Sequence, residues 1–129
     1  MEPQPPRVAS KVILVVEDDA SVRALLVRAL GISYTVLEAP DGLAAMELLR
    51  KGANPDLIVC DVMMPRMNGY ALARLLKADP VMKVIPIVFL TARGSAKDIV
   101  EGINAGARHY IAKPFSVRDV LDKIGKILK

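Results

Sequence analysis

The stretch Ile58-Val59-Cys60-Asp61-Val62-Met63-Met64-Pro65 decides how this chain folds. Leu57 to Cys60 are apolar and rich in strand formers, the pattern of a parallel strand covered on both faces. Asp61 then stands where strand gives way to loop. In open α/β sheets, ligands bind beyond the carboxyl ends of the strands. Taken alone, Asp61 reads first as an ordinary turn residue closing a strand. What moves the reading toward chemistry is that other strand ends in the chain also carry reactive or charged side chains.

Working outward, the chain alternates strand and helix. A first strand spans Lys11 to Glu17. A helix from about Ala20 to Leu30 follows, with Val22, Leu25, Leu26, Ala29 and Leu30 on one face and Gly31 as its stop. Tyr34 to Ala39 is a second strand. Asp41 caps a helix to about Lys51, stopped by Gly52. The third strand, Asp56 to Asp61, leads through Val62–Asn68 into a helix over about Gly69–Ala78, with Leu72, Leu75 and Leu76 inward. Ile85 to Leu90 is the fourth strand. A fourth helix, about Ala96–Ala105, is weakened by Gly102 and bounded by Gly106. His109 to Ala112 is a short fifth strand, and Ser116 caps a last helix with the stripe Val117, Val120, Leu121, Ile124 and Leu128.

Strands alternating with helices of this length predict βαβ units and a parallel sheet. The first, third and fourth strands are the most continuously apolar and belong in the centre; the second and fifth are mixed and belong at the edges. The expected fold is therefore α/β, a flavodoxin-like doubly wound (βα)5 with a five-stranded parallel sheet in the order 2-1-3-4-5. Residues 1–10, with Pro3, Pro5 and Pro6, read as a disordered tail, and 11–129 as one domain.

Composition narrows the function classes. The 129 residues carry 18 basic and 14 acidic side chains, for a formal charge of +4, and 4% aromatics. The basic residues are scattered, and no helix-turn-helix or zinc spacing appears, so direct nucleic-acid binding is disfavoured. The longest uninterrupted apolar run, Val12 to Val16, is far short of a membrane span, and no signal peptide is visible. The lone Cys60 lies in a buried strand and reads as a small core hydrophobe, which favours a reducing, cytoplasmic setting.

Glu17-Asp18 ends the first strand, with Asp19 beyond; Asp61 ends the third, Thr91-Ala92 the fourth and Lys113-Pro114 the fifth. With the first and third strands adjacent, three carboxylates meet at the point where the strand order reverses. Crowded carboxylates raise one another's pKa unless a cation neutralises them. A hard divalent ion suits them, and Mg²⁺ accepts few protein ligands with retained waters. A Thr91 hydroxyl and a Lys113 ammonium flank the same point, the set a moving phosphoryl group needs. Each residue also has a bland reading. Glu17-Asp18-Asp19 is an N-cap cluster, Thr91 a turn hydroxyl, Lys113 a solvated lysine and His109 edge-strand filler.

On these residues the sequence resembles the receiver domain of bacterial two-component response regulators. The match runs through Ile13-Leu14-Val15-Val16-Glu17-Asp18-Asp19, Asp61-Val62-Met63-Met64-Pro65 with Asn68-Gly69, Leu90-Thr91-Ala92, Gly106-Ala107, Tyr110 and Lys113-Pro114-Phe115. The resemblance implies that Asp61 accepts a phosphoryl group from the phosphohistidine of a sensor histidine kinase or phosphotransfer protein. It implies that Glu17, Asp18, Asp61 and the Met63 carbonyl hold Mg²⁺, that Thr91 and Lys113 bind phosphoryl oxygens, and that Tyr110 reorients as the output. It also implies a cis bond at Lys113–Pro114, and a downstream effector or output domain reached through the face of the fourth helix, fifth strand and fifth helix. That face offers a possible homodimer contact, with Lys97, Glu101, Arg108 and Arg118 as candidates. Met63 and Arg93 stand where families tune dephosphorylation, and Arg108-His109 where winged-helix relatives often carry two acids.

The expected role is a phosphoryl-accepting switch that catalyses only its own modification. An aspartyl-phosphate hydrolase would need a second catalytic acid, and Met63 stands where it would be. A scaffold that binds without phosphorylation has no use for the complete acid, Thr and Lys set.

Overall fold

The computed structural model describes residues 10–92, 100, 104 and 108–128. The expected tail falls on 1–9 and lies outside the described residues. So does most of the expected fourth helix, with Arg93, Lys97, Glu101, Gly102 and Gly106; Val100 and Asn104 within it are helical and exposed.

Strands β1 (Val12–Val16), β2 (Thr35–Ala39), β3 (Leu57–Asp61), β4 (Ile87–Ala92) and β5 (His109–Lys113) form one sheet in the order 2-1-3-4-5, every ladder parallel. This is the expected flavodoxin-like arrangement. Helices α1 (Ala20–Leu30), α2 (Gly42–Arg50) and α3 (Gly69–Lys77), a 3₁₀ turn (Met82–Val84) and a C-terminal helix (Val117–Ile127) complete the described elements.

Side chains alternate across a strand, so each strand feeds two cores. Leu14, Val16, Ile58, Cys60 and Phe89 face α2 and α3, where Met46, Leu49, Leu72 and Leu76 meet them. Ile13, Val15, Leu57, Val59, Leu90 and Ile111 face α1 and the C-terminal helix, against Leu26, Leu30, Val120 and Ile124. Each such aliphatic side chain contributes about 1.5–3 kcal/mol on burial. The sheet is covered on both sides, which is why β1, β3 and β4 are nearly continuous apolar runs.

The helix starts are local chemistry. Asp19, Asp41, Asn68 and Ser116 each accept a hydrogen bond from a first-turn N–H, and Ser116 with Asp119 forms a reciprocal capping box. No helix among the described residues is long and apolar enough to cross a membrane.

Several expectations shift. β4 begins at Ile87, two residues past the expected Ile85, and continues through Thr91 and Ala92. Pro86 has no N–H to donate to a ladder, and the 3₁₀ turn occupies Met82–Val84 just before it. β5 likewise includes Lys113. Leu25 and Leu75, expected inward, are 48% and 44% exposed. Each stands next to a fully inward leucine, Leu26 or Leu76, and neighbours on a helix diverge by about 100°, so only one of each pair reaches the sheet. Gly31 ends α1 with φ −62, not in the left-handed conformation of a glycine cap. Among the described glycines, Gly52 is the one at positive φ, +104.

Candidate functional site

Asp61 closes β3 and is backed by the start of α3. A Cβ at Gly69 would stand 2.5 Å from the Asp61 carbonyl oxygen, so glycine there lets the helix approach the strand end. The Gly69 N–H donates to the Val62 carbonyl at 2.9 Å, and Asn68 accepts from the Ala71 N–H at 2.8 Å. The intervening loop is tied to α2. Arg66, at φ +68, donates from Nη2 to Asp41 Oδ2 at 2.7 Å, while Asp41 Oδ1 accepts from the Ala44 N–H at 2.8 Å.

Glu17 follows β1, whose Val16 is in register with Cys60 of β3. The Glu17 side chain is fully buried (0% exposed). Its Oε1 accepts from the Asp19 N–H at 3.2 Å. Its backbone carbonyl accepts from Arg23 Nη1 at 2.8 Å, and Arg23 Nε also pairs with Glu38 at 3.1 Å. Asp18 is exposed between them, and Asp19 is the cap of α1. Strand parity explains the convergence. Glu17, Asp61 and Lys113 continue the alternation of Val15, Val59 and Ile111, so all three belong to the α1 face of the sheet.

Lys113 Nζ lies 3.3 Å from Asp61 Oδ1 and 3.5 Å from Glu17 Oε2. The Lys113–Pro114 bond is cis, as expected, and Phe115 packs against the α1-side core. One carboxylate oxygen from each of Glu17, Asp18 and Asp61 lies within 4.8 Å of the others. Burial pushes the Glu17 carboxyl up to about 7, and the Asp61 charge adds to this, against the pull of the Asp19 N–H and Lys113. Burial also raises Asp61, against Lys113 and a hydrogen bond with Glu17. Burial alone would lower Lys113, but Asp61 and Glu17 together outweigh it and its net shift is upward.

These carboxylates fit a divalent cation. Glu17 Oε2 is buried and accepts no hydrogen bond among the described residues, facing Lys113 Nζ only at ion-pair distance, 3.5 Å. Two facing carboxylates are joined only by a shared proton or a cation, and all the ligands are hard oxygens. Met63 is 72% exposed on the loop after Asp61.

Thr91 is not drawn into the acid cluster by a hydrogen bond among the described residues. It is in register with Ala112, and its strand parity places it on the other face, with Phe89. Tyr110 shares that face. Its ring centroid is 5.9 Å from Phe89, which in turn stands 5.0 Å from Tyr70. His109 sits half-buried at the start of edge strand β5, and Cys60 is a buried core residue whose thiol is pushed up by burial and then by Asp61 and Glu17. Asp41 was singled out from the sequence only as a helix cap, and Arg66 and Arg23 were not singled out at all. A pair such as Asp41 and Arg66 carries no local pattern, whereas Gly69 was legible through Asn68-Gly69.

The family model described as the response regulator receiver domain matches residues 13–125. The chain is 42% identical over 118 residues to the response regulator MprA of Mycobacterium ulcerans, covering 91% of this chain and 50% of that protein. It is 39% identical over 118 residues to the probable transcriptional regulator ycf27 of Galdieria sulphuraria, covering 91% and 45%. The chain thus spans about half the length of the curated relatives it matches. Among solved structures it is similar to the chemotaxis protein CheY4 of Vibrio cholerae, with TM-score 0.86, 31% identity, and coverage of 92% and 99%. It is also similar to the receiver domain of a signal transduction histidine kinase from Syntrophus aciditrophicus, with TM-score 0.85, 33% identity, and coverage of 92% and 90%.

Proposed function

This chain belongs to the response regulator receiver domain family of two-component signalling, and from that premise we propose that Asp61 is its phosphoryl acceptor. Such domains are signalling switches and not classical enzymes. The observation that carries the reading is Asp61 itself, at the end of β3, with Glu17 and Asp18 beside it and Lys113 Nζ 3.3 Å away.

The donor is the phosphohistidine of a sensor histidine kinase or phosphotransfer protein. An Asp61 carboxylate oxygen attacks phosphorus, the P–N bond breaks, and its electron pair returns to the imidazole nitrogen. Glu17, Asp18, Asp61 and the Met63 carbonyl would hold Mg²⁺, which when bound offsets the charge gathering on the phosphoryl oxygens. Lys113 opposes the rise that burial causes in the Asp61 pKa and then pairs with the phosphoryl oxygens. Thr91 donates its hydroxyl to them.

Phosphorylation adds roughly 1.5–2 negative charges beyond Asp61. A hydrogen bond to such a group contributes about 1.5–3 kcal/mol, and reversing a two-state population needs about 5.5 kcal/mol, so Thr91 and Lys113 act together. Tyr110, on the same face as Thr91, carries the change to the face of the fourth helix, β5 and the C-terminal helix. There an effector, an output domain or a second copy docks, with Arg108 and Arg118 among the contacts.

The test is labelling by phosphoramidate with and without Mg²⁺, read as intact mass. One phosphoryl group per chain is expected, dependent on the metal and absent from Asp61→Asn. Equal labelling of Asp61→Asn sinks the assignment.

A further inference from the structure

At the edge of the sheet opposite Asp61, a cavity of about 430 Å³ opens between the end of α3, the 3₁₀ turn and the first residues of β4 and β5. Partly buried Met82, Ile85 and Ile87 with exposed Val84 give it an apolar floor, over the buried Leu76 and Phe89. Lys77, Lys83, Arg108 and His109 stand around it, and no acidic residue lines it among the described residues. Nor does any described carboxylate pair with Lys77, Lys83 or Arg108. The acid nearest in sequence, Asp79, is engaged in the turn, where Oδ1 accepts from the Val81 and Met82 N–H groups at 2.8 and 3.0 Å. His109 senses the resulting field. Its proton affinity is held below the ordinary value by burial, then by Lys123 of the C-terminal helix and by Arg108.

Cavities of roughly 300–1,000 Å³ with an apolar lining and a few placed polar groups are binding sites as a class. Here the polar groups are all basic, so the complementary ligand is an apolar body carrying carboxylates. A nucleic acid is a poor match, because the one aromatic ring at the rim, His109, is too little to stack successive bases and a phosphodiester has nothing to seat on the floor. We infer that this cavity docks an acidic peptide segment of a partner protein, with leucine-like side chains on Met82, Val84 and Ile87 and flanking carboxylates paired to Lys77, Lys83 and Arg108. This surface lies at the other end of the strands from the Asp61 site, and Arg108 joins it to the face of β5 and the C-terminal helix.

The chain has a single histidine, so the His109 ring gives one isolated NMR signal at the rim. The probes are the capped hexapeptide Glu-Asp-Leu-Leu-Asp-Glu, its basic counterpart Lys-Arg-Leu-Leu-Arg-Lys, and isovalerate as a free small carboxylate. The acidic peptide is expected to bind saturably with a Kd below about 1 mM, to raise the His109 titration midpoint, and to weaken with salt. Lys83→Glu with Arg108→Glu should reduce its affinity at least tenfold with the amide spectrum otherwise preserved. Lys77→Glu alone, on the exposed side of α3, should reduce it several-fold. Equal binding of the acidic and basic peptides, no saturation by several millimolar, or indifference to both sets of charge reversals overturns the proposal. Isovalerate binding as tightly as the peptide overturns it in favour of a small-molecule site.

Discussion

Lys113 Nζ stands 3.3 Å from Asp61 Oδ1, and the same ammonium lies 3.5 Å from Glu17 Oε2. One cation therefore compensates two buried carboxylates that a divalent ion would also neutralise. Lysine and metal compete for the same charge and cooperate on the phosphoryl group. Lys113→Met should tighten Mg²⁺ binding by about tenfold, or about 1.4 kcal/mol, while slowing labelling from phosphoramidate. Calorimetric titration of Mg²⁺ and the labelling rate check the two directions. Weaker Mg²⁺ binding in the variant contradicts the competition.

Glu17 titrates near 7 when folded and at about 4.3 when unfolded. A carboxyl whose folded pKa is raised stabilises the fold only while protonated. Its contribution is complete at low pH and is lost as pH rises through that window. Asp61 is shifted in the same direction. In chelator, urea midpoints should therefore fall between about pH 5 and 8, by on the order of 1–3 kcal/mol. Mg²⁺ should remove the slope, and Glu17→Gln should reduce it to the share carried by Asp61. Asp41 and Asp79 are depressed, each chiefly by a backbone N–H, so their stabilisation is lost only at lower pH, as they protonate. Lys113 stays protonated throughout. A flat profile in chelator contradicts the burial argument.

Met63 is exposed beside Asp61 and cannot orient an attacking water by hydrogen bonding. Met63→Asn should shorten the lifetime of the acyl phosphate several-fold, measured as decay of the labelled species after donor removal. Unchanged or slower decay removes Met63 from consideration.

Gly69 leaves no room for a side chain, since a Cβ would meet backbone at Asp61 and Val62. Gly69→Ala should cost roughly 1–3 kcal/mol, as overpacking does. It should also slow labelling, because relief requires moving Asp61. Thermal unfolding and the labelling rate should both change; a variant with normal stability and normal labelling contradicts the close approach.

Beryllofluoride, which mimics a phosphoryl group, should alter amide exchange over residues 96–112 as well as around Asp61. Thr91→Ala should confine the change to the site. Protection that moves only near Asp61 in the unaltered protein contradicts output through Tyr110.

Much of this protein was legible along the chain. Leu57–Cys60 and Val12–Val16 announce buried strands because a strand covered on both faces must be apolar at every position. Asp19, Asp41 and Ser116 announce helix starts because capping is settled within three residues. The 2-1-3-4-5 order followed from which strands are most apolar. That Glu17, Asp18, Asp61 and Lys113 come together was legible because they stand at strand ends, where ligands gather.

What is decided by long-range packing could not be read this way. Glu17, Asp61 and Lys113 are far apart in sequence, and only register and shared strand parity bring them within ion-pair reach. Thr91 belongs to the opposite face for the same reason. Whether Leu25 or Leu26 faces the sheet depends on how α1 rolls against its neighbours, not on its own periodicity. The pairing of Arg66 with Asp41 depends on where one loop lies over another helix. Glu17 shares its residue type with solvent-exposed Glu47, and its raised pKa comes from burial, which the folded packing around it creates.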